Sequence, residues 1–184
     1  MCRATTRAAL MGAARVLFAE QGYAATGRED IAEAAGVTRG ALYHHFADKA
    51  DVFSCVVDEV DAEVLERVFA AARGGEGPLD QLRRACRAYV DACADPEVAR
   101  VLVVDAPAVL GPAECRARTE ATCGKVLREA LAAMGGVEDP DVAAALLLGM
   151  LNEAATLVGT SPHPRAEMRR VGRTVDAFLE RLLG

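Results

Sequence analysis

Apolar side chains recur every three or four residues along most of the chain, and this spacing predicts helices. The first such segment places Leu10, Ala14, Leu17 and Phe18 on one face. Alanine, leucine and valine dominate the composition and tryptophan is absent, which also favours helices over sheets. Glycine and proline interrupt the pattern between segments. We therefore expect an all-α fold of about nine helices, covering about 4–21, two short helices between 27 and 46, then 48–73, 79–94, a short helix from 96, 113–133, 140–158 and 164–183.

Two of the short helices are predicted to be joined by a tight turn. Thr26 and Glu29 stand in the S/T-x-x-E relation of a capping box, which predicts a helix beginning after Thr26. Gly36 supplies a residue that turns the chain at positive φ. Thr38 is suited to cap the next helix. The pattern predicts a helix-turn-helix motif whose recognition helix covers 38–44, although two plain amphipathic helices share some of its features.

The predicted recognition helix exposes side chains that suit contact with DNA. Gly40 and Ala41 are small, and a glycine in a helix costs roughly 1 kcal/mol against alanine, so close approach to a groove wall explains its presence. Arg28 and Arg39 are expected to read base edges, preferably those of guanine. The groups expected to position the phosphate backbone are Thr26, Thr38, Tyr43, His44 and Lys49.

Several stretches in this part of the chain match a known pattern without a gap. They are Leu-Phe-Ala-Glu-Gln-Gly-Tyr at 17–23, Ala-Thr at 25–26, Asp-Ile-Ala at 30–32, Ala-Gly-Val-Thr-Arg-Gly at 35–40 and Leu-Tyr-His-His-Phe at 42–46, followed by Lys49. Residues from about 7 to 57 thereby resemble the N-terminal DNA-binding domain of the TetR/AcrR family of bacterial transcription regulators. The resemblance implies a repressor with a DNA-binding domain at 1–47 and a ligand-binding and dimerisation domain at 48–184. Gly27 departs from the family pattern, which more often has Ser, Thr or Val there.

Charge is distributed in a way that permits DNA binding, although the whole chain carries a formal charge of −6. The first 50 residues hold six basic and five acidic side chains, whereas the remaining 134 hold fifteen basic and twenty-two acidic ones. DNA contact requires local positive potential and not a basic whole. Residues 1–10 lack the apolar region of a signal peptide, and the apolar run 142–151 is too short to span a bilayer. We expect a cytoplasmic protein with no membrane partner.

Six cysteines are present and none forms a C-x-x-C pair. In a reducing cytoplasm they are expected to be free thiols that pack as small hydrophobic side chains. Cys86 and Cys93 are seven residues apart on one helix face, which leaves open a thiol- or metal-switched regulator. His163 is the only histidine outside the predicted DNA-binding part, so no metal site and no cofactor are expected.

The last two predicted helices carry apolar seams. Heptad-like spacing and the small size of the chain predict a four-helix interface with a second copy, although completion of the monomer core is the alternative. Two recognition helices about 34 Å apart would then read a palindromic operator in double-stranded DNA. The predicted interface residues are Leu147, Met150, Ala154, Leu157, Met168, Val171, Val175, Phe178 and Leu182.

An effector pocket is expected between the fifth and eighth helices, mostly apolar with a few polar groups. Asp105 is either a charged contact at the pocket floor or an acid that caps or ends a helix. Asn152 and Thr156 either orient a ligand or form hydrogen bonds across the dimer. An enzyme is the alternative of another class, but the chain lacks a Ser/His/Asp arrangement, a phosphate loop and an H-E-x-x-H motif. The candidate pocket residues are Cys86, Tyr89, Cys93, Asp105, Asn152 and Thr156.

Overall fold

The computed structural model describes the backbone of residues 3–183 and the side chains of residues 5–183, so Cys2 lies outside the described residues. The described chain contains nine helices and no strand, which confirms the all-α prediction. The helices are α1 (Arg3–Ala25), α2 (Arg28–Ala34), α3 (Arg39–His45), α4 (Lys49–Arg73), α5 (Pro78–Ala92), α6 (96–109), α7 (112–134), α8 (Pro140–Gly159) and α9 (Pro164–Leu183).

The beginning of α2 differs from the predicted capping box. Gly27 is the N-cap, and its backbone N–H donates to the Asp30 carboxylate at 2.8 Å. Thr26 is buried, and its hydroxyl donates to the carbonyl of Gly22 at 2.9 Å. Asp30 takes the capping role predicted for Glu29, because the turn that follows Gly22 places Thr26 inside the protein. Gly22 itself has a φ of 80°, so α1 kinks there and adds one more turn.

Both α6 and α7 contain a π-helical stretch, at Ala99–Asp105 and Glu120–Gly124 respectively. The sequence pattern predicted a short sixth helix interrupted near Pro107. In the structure α6 continues to Val109, because Pro107 occupies one of the first two positions of the α-helical turn that follows the π-helical stretch. Such π-helical turns are frequent at functional sites.

The first hydrophobic core joins α1, α2 and α3 to α4 and α6. At its centre the ring of Phe53 packs edge-on against Phe18 and Tyr23, with ring centroids 5.1 and 5.0 Å apart. This core therefore crosses the predicted division between residues 47 and 48, and that division stays a prediction.

The second core joins α5, α7, α8 and α9. Its centre includes Val90, Leu131, Val158 and Leu179, all almost completely buried. Within the described residues α8 is the one helix long and apolar enough, by length and composition alone, to cross a membrane. Its buried face packs in the second core, and its remaining apolar side chains lie on the surface.

Candidate DNA-binding surface, ligand cavity and dimer face

The recognition helix α3 is attached to the first core by Leu42, and the following Phe46 is also buried. At its start, the Thr38 hydroxyl accepts a hydrogen bond from the Ala41 N–H at 3.3 Å. The opposite face is on the surface: Arg39, Gly40, Tyr43 and His44 are exposed and Ala41 is half-buried. The structure therefore presents as one surface the side chains expected to contact DNA from α3.

The two arginines expected to read bases already have neighbours on this surface. The Arg28 guanidinium lies 4.9 Å from the centre of the Tyr43 ring, and Arg39 forms an ion pair with Glu29. A hydrogen bond to Tyr43, and secondarily the charge of Glu29, raises the pKa of Arg39. Both partners of the Arg39–Glu29 pair are more than 60% exposed, at 63% and 66%. Such exposed ion pairs contribute about 0–1 kcal/mol, so Arg39 can exchange Glu29 for a base edge at small cost.

Two residues expected to contact phosphate have different surroundings. Thr26 is 1% exposed, so its hydroxyl is a hydrogen-bond donor within the protein and not a surface group. The Lys49 ammonium donates to the carbonyls of Tyr23 and Thr26, both at 2.9 Å, and lies over the Tyr23 ring. Carbonyls at the end of a helix lack helical partners and favour a cation. Lys49 therefore joins the start of α4 to the end of α1, and its expected contact with phosphate stays a prediction.

Arg15 is also used inside the protein. Its guanidinium contacts Glu63 of α4 at 2.5 Å and Glu97 of α6 at 2.6 Å, and the hydrogen bond from Arg15 lowers the pKa of Glu63. These ion pairs hold α1 against both helices. One of the basic side chains counted toward the DNA-binding part of the chain thus serves the packing of α1.

Two neighbouring cavities lie in the second part of the chain. The first, of about 280 Å³, is lined by Tyr89, Cys93, Asn152 and Thr156, four of the six predicted pocket residues. The second, of about 210 Å³, is lined by Cys86 and again by Tyr89 and Asn152. Helix α4 contributes to both cavities. The structure therefore brings five of the six predicted residues to one region, and their contact with a ligand stays a prediction.

Asp105 lies elsewhere. It lines neither cavity, and its carboxylate accepts a hydrogen bond from the backbone N–H of Tyr23 at 2.7 Å. It also makes no capping hydrogen bond at its own helix. Neither cavity therefore supports a pocket role for Asp105, which ends the π-helical stretch of α6 and holds the end of α1 against α6 after the kink at Gly22.

Asp61 of α4 lines the first cavity and was not predicted. Burial, with a smaller effect from the charge of Asp58, raises the pKa of Asp61. Its position gives the signal that could have found it: Asp61 stands four residues after Val57 and four before Leu65, which also line the cavities. An acid at this register of an apolar helix face indicates a polar contact inside the protein.

Cys86 and Cys93 are buried, at 3% and 2% exposure. Burial raises the pKa of each thiol to about 12. A thiol that stays protonated is a poor nucleophile and a poor metal ligand. Residues 3–183 also contain no group of three or more histidine, cysteine or acidic side chains placed to hold a metal ion. The surroundings of these cysteines thus give no support to a thiol- or metal-switched regulator.

The apolar seams of α8 and α9 are partly inside the subunit. Of the predicted interface residues, Leu147, Ala154, Val171 and Val175 are buried in the second core, which corrects their assignment to the surface. Both helices present other apolar side chains outward. Three of the predicted residues are exposed: Leu157, Phe178 and Leu182. Two others, Met150 and Met168, are half-buried. The exposed apolar residues that were not predicted are Val142 and Leu146.

The interface residues of α8 were assigned to the wrong face because apolar residues extend almost all round this helix. Their pattern therefore does not determine which face points outward. Leu146 is 70% exposed and Leu182 is 71% exposed, so large apolar side chains from both helices reach the surface. We call the exposed residues Val142, Leu146, Leu157, Phe178 and Leu182 the α8/α9 face. An apolar surface of this kind is typical of an interface between proteins.

An exposed recognition helix on a three-helix unit, followed by a helical domain with an internal cavity, defines a class of DNA-binding transcription regulators. A family model described as "Bacterial regulatory proteins, tetR family" matches residues 10–56. A second, described as "Tetracyclin repressor-like, C-terminal domain", matches residues 79–182. The chain therefore belongs to the TetR family of bacterial regulatory proteins, whose members are generally not enzymes and bind DNA as dimers.

Solved structures of this family share the whole fold. A TetR-family transcriptional regulator from Pectobacterium atrosepticum is 34% identical, with a TM-score of 0.84 over 98% of this chain and 95% of that one. Another from Streptomyces coelicolor is 25% identical, with a TM-score of 0.78 over 98% of this chain and 91% of that one.

Curated relatives match over only part of their length. The transcriptional regulator AcrR of Shigella flexneri is 37% identical over 100 residues, which are 53% of this chain and 46% of that protein. The transcriptional repressor KstR2 of Mycobacterium tuberculosis is 40% identical over 81 residues, which are 42% of this chain and 38% of that protein. The chain thus spans less than half the length of these curated relatives.

Proposed function

We propose that this protein is a homodimeric repressor that a small molecule releases from a palindromic operator in the cytoplasm. The observation that carries this proposal is the position of α4. Helix α4 begins at Lys49, which is bonded to the end of α1, and the same helix lines both cavities through Asp61 and Leu65. A molecule in the cavities therefore touches the helix on which the DNA-binding part is mounted.

The sign of regulation follows the relatives. KstR2 and BepR are named repressors, whereas FasR of Mycolicibacterium smegmatis is named an activator. Repression is the commoner of the two among these proteins, and we adopt it for this chain.

Dimerisation is proposed to use the α8/α9 face. Two copies related by a two-fold axis would bury Leu146, Phe178 and Leu182 in a four-helix interface. A single recognition helix contacts only a few base pairs, so two copies at a fixed spacing are needed to read an operator. Dimerisation thereby sets the separation of the two DNA-contacting surfaces.

The effector is proposed to change that separation through two contacts. One is α4 itself, and the other is α6, whose Leu102 and Val103 line the first cavity while its Asp105 holds the backbone of Tyr23. A ligand that prefers a spacing different from that of the operator-bound dimer lowers DNA affinity by its difference in binding free energy between the two forms.

The proposal is tested by selecting bound DNA from a random pool with the full chain. We expect enrichment of a palindrome whose half-sites lie about 34 Å, or a multiple of it, from centre to centre. Failure to enrich any sequence at low ionic strength would refute DNA recognition. Enrichment of a single unrepeated half-site would refute the proposed dimer while leaving the recognition helix in place.

A further inference from the structure

The two cavities differ in chemical character and share a wall. The second is lined mainly by apolar side chains, among them Leu65, Val68 and Leu82. The first contains most of the polar groups, including Asp61. Tyr89, together with Thr119 and Asn152, lines both. The adjoining spaces match an elongated molecule with a polar head in the first cavity and an apolar tail in the second.

Tyr89 has a polar group in this region that the protein does not use. Its hydroxyl makes no hydrogen bond within the described chain, and burial raises the pKa of Tyr89, so the hydroxyl is neutral. A tyrosine inside a protein usually finds a partner for its hydroxyl. Because Tyr89 lines both cavities, its aromatic ring is also available to attract a cation.

Asp61 is the second polar group without a partner. It is half-buried, and no hydrogen bond or ion pair among the described residues involves its side chain. Arg118, the basic group nearby, is bound to Asp58, and also contacts Glu114 at 2.9 Å and Ser54 at 2.7 Å. A carboxylate that is partly removed from water without a partner costs free energy, and a ligand that supplies the partner recovers it.

The position of Asp61 relative to both cavities follows from helix α4. Asp61 lines the first cavity, and Leu65, one helical turn further along, lines the second, so Asp61 lies toward the end of the first cavity that faces the second. Burial is the main cause of the raised pKa of Tyr89 and of Cys123, and the negative charge of Asp61 adds to it in both cases, which agrees with this position.

We propose that the effector is an organic cation with an apolar tail, whose charged head binds Asp61 and the Tyr89 ring while its tail occupies the second cavity. This inference rests on the proposed effector function and names the chemical class of the effector. The competing ligand is an amphipathic anion, for which Arg116 and Arg118 are the basic groups that line the first cavity. Arg116 is exposed, Arg118 is already paired with Asp58, and an anionic head would also meet Asp58 and Asp61. Asp61, which has no such pair, therefore favours a cation.

The experiment compares three probes of equal tail length, decyltrimethylammonium, decanoate and decan-1-ol, by isothermal titration calorimetry on the full chain below their micelle concentrations. We expect the cation to bind at least about tenfold more tightly than the alcohol, and the carboxylate more weakly than either. Equal binding of the three, stronger binding of decanoate, or no binding of any would overturn the proposal.

Two variants assign the effect to Asp61. Asp61→Asn should weaken cation binding by roughly 10- to 100-fold and leave decanol binding unchanged, as for loss of one charged partner. Glu59→Gln removes an acid from an exposed position of the same helix and should leave all three affinities unchanged. Retention of the cation preference in Asp61→Asn would refute the role of Asp61.

Operator binding without any probe separates this inference from the proposed function. If the wild-type chain binds its selected DNA but shows no preference for the cation, the proposed effector class is wrong and the proposed function as a DNA-binding regulator is retained. If it binds no DNA, the proposed function itself is wrong, whatever the calorimetry gives.

Discussion

The DNA-binding surface and the ligand cavities differ in whether their polar side chains have partners within the protein. On the surface, each arginine expected to contact bases has a partner: Arg28 lies over Tyr43 and Arg39 pairs with Glu29. In the cavities, the half-buried Asp61 carboxyl and Tyr89 hydroxyl have no hydrogen-bond partner among the described residues. Exposed pairs are exchanged at little cost, whereas a half-buried group without a partner gains more when a ligand arrives.

This difference indicates how each region obtains selectivity. The surface exchanges one weak contact for another, so its affinity for DNA should depend strongly on salt and on the presence of two copies. In the cavity, Asp61 lacks a partner until a ligand with a complementary group binds. The selectivity of the cavity should therefore depend on single side chains.

The largest effect on operator affinity is expected from a substitution in the α8/α9 face, because the proposed dimer joins two copies of both regions. Leu146→Glu places a charge at a residue that is 70% exposed in the subunit and buried in the proposed dimer. We expect a monomer by light scattering and a loss of about 100- to 10,000-fold in operator affinity by fluorescence anisotropy, because the second half-site no longer adds to binding. Val104→Glu, at a 40% exposed apolar residue of α6, is the control and should stay dimeric. A dimeric Leu146→Glu protein would place the interface elsewhere.

A smaller effect is expected at the DNA-binding surface. Arg39→Ala should cost roughly 1–3 kcal/mol of operator binding and relax base preference at one position of each half-site. The melting temperature should hardly change, because the Arg39–Glu29 pair is exposed. Repeating the selection from random DNA with the variant measures the preference, and Arg73→Ala, at the exposed end of α4, controls for the loss of one positive charge. An unchanged base preference would show that Arg39 does not contact base edges.

The same contrast explains which features could be predicted from sequence. The helix-turn-helix depends on contacts between residues close in the chain, such as the Thr38 cap, and its position and exposed face were predicted correctly. Helices α8 and α9 were also predicted within a residue or two, because prolines mark their beginnings.

Features that depend on contacts between residues far apart in the sequence were not predicted correctly. Thr26 matched a local capping rule, but packing of the turn buried it and gave the cap to Asp30. Asp105 lay near a predicted pocket, but the kink at Gly22 gave it Tyr23 as a partner. The environment of Asp61 is made by residues from four other helices, and no local pattern records that arrangement.

The contact between α6 and α1 gives a test of communication between the two regions. Asp105→Asn weakens the acceptor for the Tyr23 N–H, and we expect a loss of about 1 kcal/mol in unfolding free energy together with faster hydrogen exchange at the end of α1. Asp95→Asn is the matched control, since Asp95, the N-cap of α6, accepts from the Glu97 N–H at 2.9 Å and makes no hydrogen bond to α1 among the described residues. Faster exchange at the end of α1 in both variants would show that α6 had merely loosened.

The smallest effect concerns the first cavity in the protein without added ligand. Because the pKa of Asp61 is raised in the folded protein, its ionised form destabilises the fold above that pKa, and the penalty disappears as pH falls toward the unfolded value of about 3.9. The charged and titratable groups around it are Asp58, Arg118, Tyr89 and Cys123.

Asp61→Asn should therefore melt above the wild type at pH 7 without ligand, by about 2–4 °C for each kcal/mol gained. The difference should shrink as the pH is lowered from 7 toward the unfolded value of about 3.9, because protonation removes the same charge from the wild type. Differential scanning calorimetry of both proteins across this range measures it, with Glu59→Gln, which alters an exposed acid, expected to follow the wild type at every pH. An advantage that grows on acidification would mean that Asp61 is stabilised as an anion in the fold, and the contrast between paired surface groups and unpaired cavity groups would fail.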